Sequence, residues 1–232
     1  MKNTLFNALD VYHDTGAQSA AMNMAIDEAL LEYAAVSSIR FYHWHSPALS
    51  FGYFGKFADV ARYERERDLV RRWTGGGIVF HGHDLTYSIV IPAHDTVFSQ
   101  SSMSIYERVH YALRDALGGR GTRAVVAEGL DGSSTARQRN VSAGCSCFAN
   151  PVRADVLIDD RKIAGAAQRR SARGLLQQGS IQGVDVGNGL AERFAEQLSK
   201  HCEQCRLPKG VQCRALEIAA GKYATDAWLH RR

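Results

Sequence analysis

The sequence predicts an α/β (α+β) fold, in which a mixed, largely antiparallel sheet is flanked by helices. Strand-like runs rich in β-branched and aromatic residues alternate with amphipathic helical segments, which favours a layered fold of this class. The pair Asp159-Asp160 separates two strand-like runs by two residues, the spacing of a hairpin turn. The chain has 232 residues, of which 45% are apolar, enough for one sizeable core. We therefore expect a single domain over residues 1–232.

Local signals define the individual elements. Ser19 suits the N-cap of a helix over 19–36, and Gly118-Gly119 suits the end of a helix over 104–117. The other predicted helices cover 59–68, 189–200 and 213–229. The predicted strands cover 39–44, 48–54, 77–81, 85–91, 123–127, 154–158, 161–169 and 174–181. The stretch 118–146, rich in Gly, Ser and Arg, predicts a long loop, and a loop of this length inside a compact domain is usually functional or mobile.

The composition is that of a globular protein without membrane-spanning segments. Charged residues make up 22% of the chain, and no apolar run approaches the roughly 18 residues that a membrane helix needs. The segment Met1–Asn7 lacks the apolar core of a signal peptide, so we expect a cytoplasmic protein. The net charge of +4 is too small to indicate nucleic-acid binding, and it suits an acidic partner.

The cysteines form no disulfide pattern, because their number is odd and no secretion signal accompanies them. Cys202-x-x-Cys205, followed by Cys213, has a spacing that zinc sites use. No second well-spaced pair completes such a site unless Cys145 and Cys147 fold across to it. We expect reduced thiols and no bound metal, with zinc ligation by Cys202, Cys205 and Cys213 as the open alternative.

A run of three glycines, Gly75-Gly76-Gly77, lies between a charged segment and a strand in RRWTGGGIVFH, residues 71–81. Glycine lets the backbone approach a ligand closely, and successive amides can point at an anion or a carbonyl oxygen. Arg72 adds a charge-assisted donor. The plain alternative is a tight turn with a surface arginine. The run matches neither a P-loop nor a dinucleotide-binding fingerprint.

Two further motifs carry reactive side chains. Cys147 stands in Cys-Phe-Ala-Asn-Pro at the end of the long loop. It is either a buried structural thiol or a nucleophile, and a nucleophile needs a nearby cation or base. Lys162 follows the predicted hairpin turn and precedes the small residues Ala164–Ala167, which leave open space beside the strand. Such a lysine is either solvated, or it binds a carboxylate or phosphate or acidifies a thiol.

Together these motifs resemble the family of lipoate-protein ligases, octanoyltransferases and biotin ligases. That family carries Arg-Arg-x-x-Gly-Gly, a following Val-x-His, and then Lys-Ile/Val-x-Gly-x-Ala. The matching segments are RRWTGGGIVFH (71–81), HDLTYSI (83–89), RKIAGAAQRR (161–170), LLQQGSI (175–181), MNMAIDEALL (22–31) and KYATDAWLHRR (222–232). The resemblance covers nearly the whole chain and implies a biotin/lipoate ligase-like catalytic domain.

The resemblance is greatest to the cysteine-dependent octanoyltransferases of the Gram-positive type, in which Cys-Phe-x-x-Pro precedes Lys-x-x-Gly-Ser-Ala-Gln. Lys162 follows Cys147 at the matching offset of 15 residues. This implies an acyltransferase that moves an octanoyl or lipoyl group from acyl carrier protein to a lysine of a lipoyl domain or of glycine-cleavage H protein. Cys147 would be the nucleophile, Lys162 would stabilise its thiolate, and no cofactor would be needed.

The resemblance also implies a wall for the acyl chain. That wall would contain Arg72, Thr74, Gly75, Gly76, Gly77, Ile78, Val79, Phe80, His81, Gly165 and Ala166. His81 and His83 either handle protons at the amine step or are structural.

Two alternative functions stay open. Gly77 stands where the transferases tend to have arginine and the ATP-dependent lipoate-protein ligases have glycine. In such a ligase ATP and Mg²⁺ would generate lipoyl-AMP, held by Arg72, residues 77–80 and Lys162. The third function is a non-catalytic binder of acylated carrier domains, which the presence of Cys147 beside Lys162 in these motifs disfavours. A nucleic-acid role would need an added winged helix, for which the chain has no room.

Overall fold

The computed structural model describes residues 4–118, 123–128, 152–186 and 189–231. The strands within these ranges are β1 (Leu9–His13), β2 (Ser38–Tyr42), β3 (Ala48–Phe51), β4 (Asp68–Arg71), β5 (Val79–His81), β6 (Leu85–Pro92), β7 (Ala124–Val126), β8 (Val156–Ile158), β9 (Arg161–Ser171), β10 (Gly174–Ile181) and β11 (Cys202–Cys205). The α-helices are α1 (Ala20–Tyr33), α2 (Ser102–Leu117), α3 (Leu190–Leu198), α4 (Lys209–Ile218) and α5 (Asp226–Leu229).

The strands form two sheets. The large sheet has the order β11-β1-β2-β6-β10-β9-β8-β7, and the small sheet has the order β4-β3-β5. In the large sheet β1 runs parallel to both of its neighbours, while the other five pairings are antiparallel. The predicted mixed, largely antiparallel sheet is therefore confirmed.

Helices cover both faces of the large sheet. Helices α2 and α3 pack on one face, in a core that includes Ile89, Val109 and Phe194. Helices α1 and α4 pack on the other face, in a core that includes Met24 and Val211. Helix α1 also contacts β3 and β4, so the small sheet lies on the α1 side of the large one. Of the helices in the described part of the chain, none has the length and apolar character required to cross a membrane.

Two consecutive hairpins form the part of the sheet that carries the site. Asp159 and Asp160 have φ angles of 48° and 58°, the left-handed pair of a two-residue turn, and they join β8 to β9 as predicted. At the β9–β10 turn Gly174 has φ 146°, and a β-carbon there would collide with the carbonyl oxygen of Ile91. These turns place the long strands β9 and β10 side by side, with β10 between β9 and β6.

Three predictions about elements need correction. The local pattern predicts neither β1 nor β11, because both are short strands whose pairing partners are distant in the chain. The predicted helix over 59–68 is wrong: residues 57–59 and 61–63 form separate 3-10 turns, since Val60 alone is buried in that stretch. The predicted helix over 213–229 begins earlier, in α4, and a π-helical turn separates it from α5.

Candidate active site

A pocket opens between the large and small sheets, on the side covered by α1. It contains about 490 Å³ of empty space, part of it open to solvent. Seven residues that the sequence predicts for the site line it: Arg72, Gly76, Val79, His81, Lys162, Gly165 and Ala166. The other lining residues are Met24, Tyr42, Trp44, Ser50, Thr86, Ala167, Gln178, Gly179 and Ser180. The fold thus joins the glycine motif and the lysine motif in one mostly apolar cavity.

Lys162 reaches the pocket because of a bulge near the start of β9. The register between β8 and β9 shifts between Val156 and Leu157, so that one extra residue of β9 interrupts the alternation of side chains. Lys162 and Gly165, three positions apart, therefore lie on the same face. A β-carbon on Gly165 would lie 2.5 Å from Cε of Lys162. Only glycine leaves room there for the lysine side chain.

The Lys162 ammonium forms a buried ion pair with Asp155. Nζ lies 2.8 Å from Oδ2, with the lysine side chain 6% exposed and the aspartate side chain 0% exposed. The Asp155 carboxylate also accepts hydrogen bonds from the Tyr106 hydroxyl at 2.7 Å and the Val152 amide at 2.7 Å. These bonds fix the carboxylate and, through it, the ammonium. Asp155 therefore links Lys162 to the Val152 backbone. In the sequence Val152 follows Cys147 by five residues.

The Arg72 guanidinium shapes the glycine loop. Its Nη2 donates to the carbonyl oxygens of Gly75 at 3.0 Å and Gly77 at 2.8 Å. Its Nη1 donates to the Ser50 hydroxyl oxygen at 2.7 Å. Arg72 therefore uses these donors to hold the loop and the β3 side chain, whereas the sequence predicts a donor to an anionic ligand.

Among the three consecutive glycines, Gly76 alone has a positive φ, at 83°. A β-carbon on Gly76 would lie 3.3 Å from Cβ of Ala167, so the loop packs closely on β9. The loop also packs on Gly52, where a β-carbon would collide with the carbonyl oxygen of Gly76. The close approach of backbone to backbone explains why both positions are glycine.

His81 lies in a buried chain of polar groups at the pocket wall. Its Nδ1 is 2.7 Å from Oδ2 of Asp84, and its Nε2 is 2.7 Å from the Ser50 hydroxyl. The carboxylate accepts only, so Nδ1 carries the proton and Nε2 accepts from Ser50. The Trp44 ring stacks on the imidazole with centroids 4.0 Å apart.

Burial shapes the titration of both partners. Desolvation lowers the pKa of His81, although Asp84 opposes the effect. Burial raises the pKa of Asp84, but the hydrogen bond and charge of His81 and the bonds from Gly82 and Ser180 outweigh it and lower that pKa to about 2. At neutral pH the pair is therefore a neutral imidazole held by a carboxylate.

The remaining predicted wall residues lie outside the pocket surface. Ile78 and Phe80 flank Val79 and pack on the cluster around Leu49, because neighbouring side chains of a strand point to opposite faces. Gly75 and Gly77 belong to the loop but do not line the pocket. Thr74 is buried behind the wall, and its hydroxyl donates to Oε1 of Gln178 at 2.8 Å.

Three other predictions have different outcomes. His83 is exposed and does not line the pocket. Cys145 and Cys147 lie outside the described residues. Cys202 and Cys205 are three positions apart on β11 and pack on opposite faces of the sheet, and among the described residues no group of three or more His, Cys, Asp or Glu is arranged to hold a metal.

A buried polar network supports the pocket from the α1 side. Nε2 of Gln178 donates to Oδ2 of Asp27 at 2.7 Å, and Oδ1 of Asp27 pairs with Nη1 of Arg40 at 2.8 Å. Arg40 also pairs with Asp14 at 2.6 Å. These groups are almost fully buried, so the network fixes α1 against the sheet and fixes Gln178 in the pocket wall.

Sequence reasoning missed the acidic and hydroxyl partners of the site. Asp84 stands three residues after His81, a spacing that an intervening glycine allows to close into a pair. Asp155 directly precedes one strand of the hairpin, and Lys162 lies on the other strand. This opposite charge across the hairpin indicates an ion pair that could have been predicted. Ser50 has no local signal, because its partners lie 22 and 31 residues away.

The fold and this site define a protein of the lipoate-ligase-like catalytic class. Residues 19–220 match the family of the lipoyl protein ligase A/B catalytic domain, and the chain belongs to that family. Octanoyltransferase LipM of Bacillus cereus is 34% identical over 179 residues, 73% of this chain and 64% of that protein. LipM of Halalkalibacterium halodurans is 30% identical over 213 residues, 84% of this chain and 76% of that protein. The match therefore spans just under two thirds of the length of the first relative.

Solved structures share the fold. A lipoate-protein ligase A bound with ATP superposes with a TM-score of 0.74 at 21% identity, over 97% of this chain and 98% of that one. A bi-partite lipoate protein ligase from Thermoplasma acidophilum superposes with a TM-score of 0.70 at 20% identity, over 97% and 96%. The expected lipoate ligase-like fold is confirmed.

Proposed function

We propose that this protein is an octanoyltransferase. It takes an octanoyl or lipoyl group from acyl carrier protein and passes it to a lysine of a lipoyl domain or of glycine-cleavage H protein, through an acyl-Cys147 intermediate. Residues 1–232 act as one catalytic domain in the cytoplasm, and the reaction needs no nucleotide. The 34% identity to an octanoyltransferase supports the activity.

The observation that carries the proposal is the Lys162–Asp155 pair in the wall of the pocket. The ion pair at 2.8 Å holds a positive charge at one place beside an apolar cavity. A fixed ammonium favours the thiolate form of a nearby cysteine and the developing oxyanion of a thioester under attack. The apolar wall suits a medium-length acyl chain, whose burial is worth at most about 6 kcal/mol at about 0.8 kcal/mol per methylene.

In the first half-reaction the Cys147 thiolate attacks the thioester carbon, and the carrier thiolate leaves. The enzyme then holds an acyl thioester with the chain along Gly76, Val79 and Ala167. In the second half-reaction the neutral acceptor amine attacks the same carbon and the carbon–sulfur bond breaks. The proton that the nitrogen loses passes to the departing sulfur, so Cys147 leaves as a thiol. Both steps use an already activated acyl group, which is why ATP adds nothing to them.

Intact-protein mass spectrometry with octanoyl carrier protein alone tests this proposal. We expect a mass gain of one octanoyl group, its removal by hydroxylamine as for a thioester, and modification of a lipoyl domain without nucleotide. Cys147→Ala should abolish the mass gain, while the matched control Cys145→Ala should keep it.

Two results would contradict the proposal. Full transfer by Cys147→Ala would exclude the covalent mechanism. Modification of the lipoyl domain only with free octanoate and Mg-ATP, with no acyl-enzyme, would assign the chain to the ATP-dependent ligases, and Lys162 with Arg72 would then bind the acyl adenylate.

A further inference from the structure

We propose that an aromatic patch beside the glycine loop is the surface on which the acyl-loaded carrier protein docks. The aromatic patch consists of Tyr53, Phe54, Trp73, Arg169 and Arg231, which contact one another through their rings and guanidinium groups. The assignment rests on the proposed function, in which the acyl group arrives on a carrier. It adds the binding surface for that carrier, an acidic protein.

Phe54 is the most exposed large apolar residue in the described part of the chain. It is 84% exposed, whereas the next residues in order, Val152 and Leu216, are 59% exposed. Its ring meets the Tyr53 ring edge-on, with centroids 5.0 Å apart. Contact between water and a whole aromatic ring is unfavourable, and aromatic residues and arginine are enriched in protein interfaces. Phe54 therefore has the character of an interface anchor.

The backbone on both sides of Phe54 is fixed. Nη1 of Arg71 donates to the carbonyl oxygens of Tyr53 at 3.0 Å and of Gly55 at 2.6 Å. The Tyr53 amide donates to the carbonyl oxygen of Thr74 at 2.9 Å. A loop held in this way presents its side chain in one place, which reduces the entropy lost when a partner binds. Phe54 is thus preorganised at the surface.

Two guanidinium groups stack on the ring next to Phe54. Cζ of Arg231 lies 4.2 Å and Cζ of Arg169 lies 5.0 Å from the Tyr53 ring centroid, and Arg169 also lies 5.1 Å from the Trp73 ring. Among the described residues neither arginine forms a salt bridge with a carboxylate. Stacking holds both groups in place and leaves their positive charge for a partner.

The aromatic patch adjoins the pocket wall. Trp73 directly precedes the glycine loop. Arg169 follows the pocket-lining Ala167 by two residues on β9, so both lie on the same face of the strand. Lys162 lies seven positions before Arg169, roughly 20 Å away at about 3.3 Å per residue. At that distance the aromatic patch can bind the body of a carrier whose acyl arm reaches into the pocket, and it takes no part in bond formation.

The charge of the aromatic patch distinguishes the two proteins that the proposed reaction brings to the pocket. The carrier holds its acyl group on an arm attached through a phosphodiester, which is an anion. The acceptor presents a lysine, which is a cation at neutral pH. Two guanidinium groups without carboxylate partners attract the first and repel the second. The aromatic patch therefore fits the carrier.

Kinetics with two donors test the docking surface. Phe54→Ala should raise the KM for octanoyl carrier protein by at least about tenfold, as for an interface anchor, and leave kcat within about twofold. With the octanoyl thioester of N-acetylcysteamine, a small donor without a carrier, acyl-enzyme formation should match the wild type. Tyr111→Ala is the matched control. Tyr111 is also an exposed aromatic residue with a stacked arginine, but it lies on α2, which packs on the opposite face of the large sheet.

Substitution of the arginines tests the electrostatic part. Arg169→Gln and Arg231→Gln should each weaken binding of the unloaded carrier and reduce the salt dependence of its dissociation constant, because salt screens attraction between exposed charges. Titrations at low and high salt measure both effects. Arg114→Gln is the control, because Arg114 lies on α2 and is already paired with Asp115.

Three results would overturn the docking surface: a wild-type KM in Phe54→Ala, an equal loss with the small donor, or a loss confined to transfer to the lipoyl domain. The last result would assign the aromatic patch to the acceptor. Failure of the proposed function is distinguishable, because the wild type would then form no acyl-enzyme from octanoyl carrier protein. In that case binding of the carrier decides: weaker binding by Phe54→Ala supports the surface, and equal binding, or none by the wild type, contradicts it.

Discussion

At the residue scale, Gly165 is as important to the site as the lysine it accommodates. The Lys162 side chain crosses the α-carbon of Gly165 on its way to Asp155, and Oδ1 of Asp155 lies 3.0 Å from where a β-carbon would be. Both contacts involve the ion pair rather than a flexible surface group. The small residue therefore defines where the positive charge of the pocket lies.

Gly165→Ala should displace the Lys162 ammonium from Asp155 and lower the rate of acyl loading by at least about tenfold. The added methyl would lie 2.5 Å from Cε and 2.7 Å from Nζ of Lys162, too close for either atom to stay. Single-turnover loading from octanoyl carrier protein measures the effect. Gly118→Ala is the control, because nothing lies within 4 Å of its β-carbon position. Equal loading by both variants would show that the position of Lys162 does not limit the reaction.

At the scale of elements, α2 holds the turn that precedes β8. Nδ1 of His110 lies 2.6 Å from the carbonyl oxygen of Ala154, and Nε2 lies 3.0 Å from the Tyr87 hydroxyl. Ala154 has φ 69°, an uncommon value for alanine, and it directly precedes Asp155. The buried histidine thus fixes the backbone that positions the carboxylate partner of Lys162.

The free energy of unfolding should fall as pH drops from about 6.5 towards 4. Burial lowers the pKa of His110 to about 4, so between these values the unfolded chain binds a proton that the folded chain does not. The loss over this window is on the order of 3 kcal/mol. Urea denaturation at pH 7 and pH 5 measures the slope. His110→Gln should flatten it, whereas His94→Gln, at an exposed histidine, should not.

The Asp84 carboxylate changes the free energy of unfolding only at lower pH. Its pKa is lowered to about 2, so its contribution to stability is present above about 4 and is lost only below that. Measurements above pH 4.5 therefore exclude the contribution of Asp84. If the free energy of unfolding of His110→Gln falls between pH 7 and pH 5 as much as that of the wild type, His110 is not the main source of the loss.

At the scale of the whole molecule, Arg71 joins the small sheet to the last described segment of the chain. Its buried guanidinium donates to the carbonyl oxygens of Tyr53, Gly55, Leu229 and Arg231 at 2.6–3.0 Å. The indole of Trp228 donates back to the Arg71 carbonyl oxygen at 2.9 Å. The glycine loop follows β4 directly, so this contact also supports the pocket.

Arg71→Gln should lower the free energy of unfolding by about 3 kcal/mol and release the segment from 226 to 231. The shorter amide cannot reach these carbonyl groups, which stay buried without partners. Hydrogen exchange of the segment and chemical denaturation measure both effects. Arg62→Gln is the control, because Arg62 is exposed and, among the described residues, its guanidinium stacks on and donates to its neighbour Tyr63. Unchanged protection of the segment would mean that other contacts hold it.

Local signals in the sequence were sufficient where the structure is local. The two-residue turn at Asp159-Asp160, the N-cap of α1, the C-terminal end of α2 and the long strands β9 and β10 all follow from neighbouring residues. The edge strand β11 and its neighbour β1 did not follow, because their parallel partners are far away in the chain. The prediction for the charged segment 59–68 was wrong for the opposite reason: its composition is helical, but Val60 is its single buried residue, which is too little to stabilise a helix.

The sequence by itself determined the family motifs, with Lys162 before small residues and three glycines before a strand. The tertiary structure alone decided what each charge does. In the folded protein Arg72 donates to the glycine loop, and Arg71 donates to the segment from 226 to 231. His81 is hydrogen-bonded to Ser50 and Asp84. The physical reason is that a buried charge must find its partners, and those partners are set by the packing of distant strands rather than by neighbours in the chain.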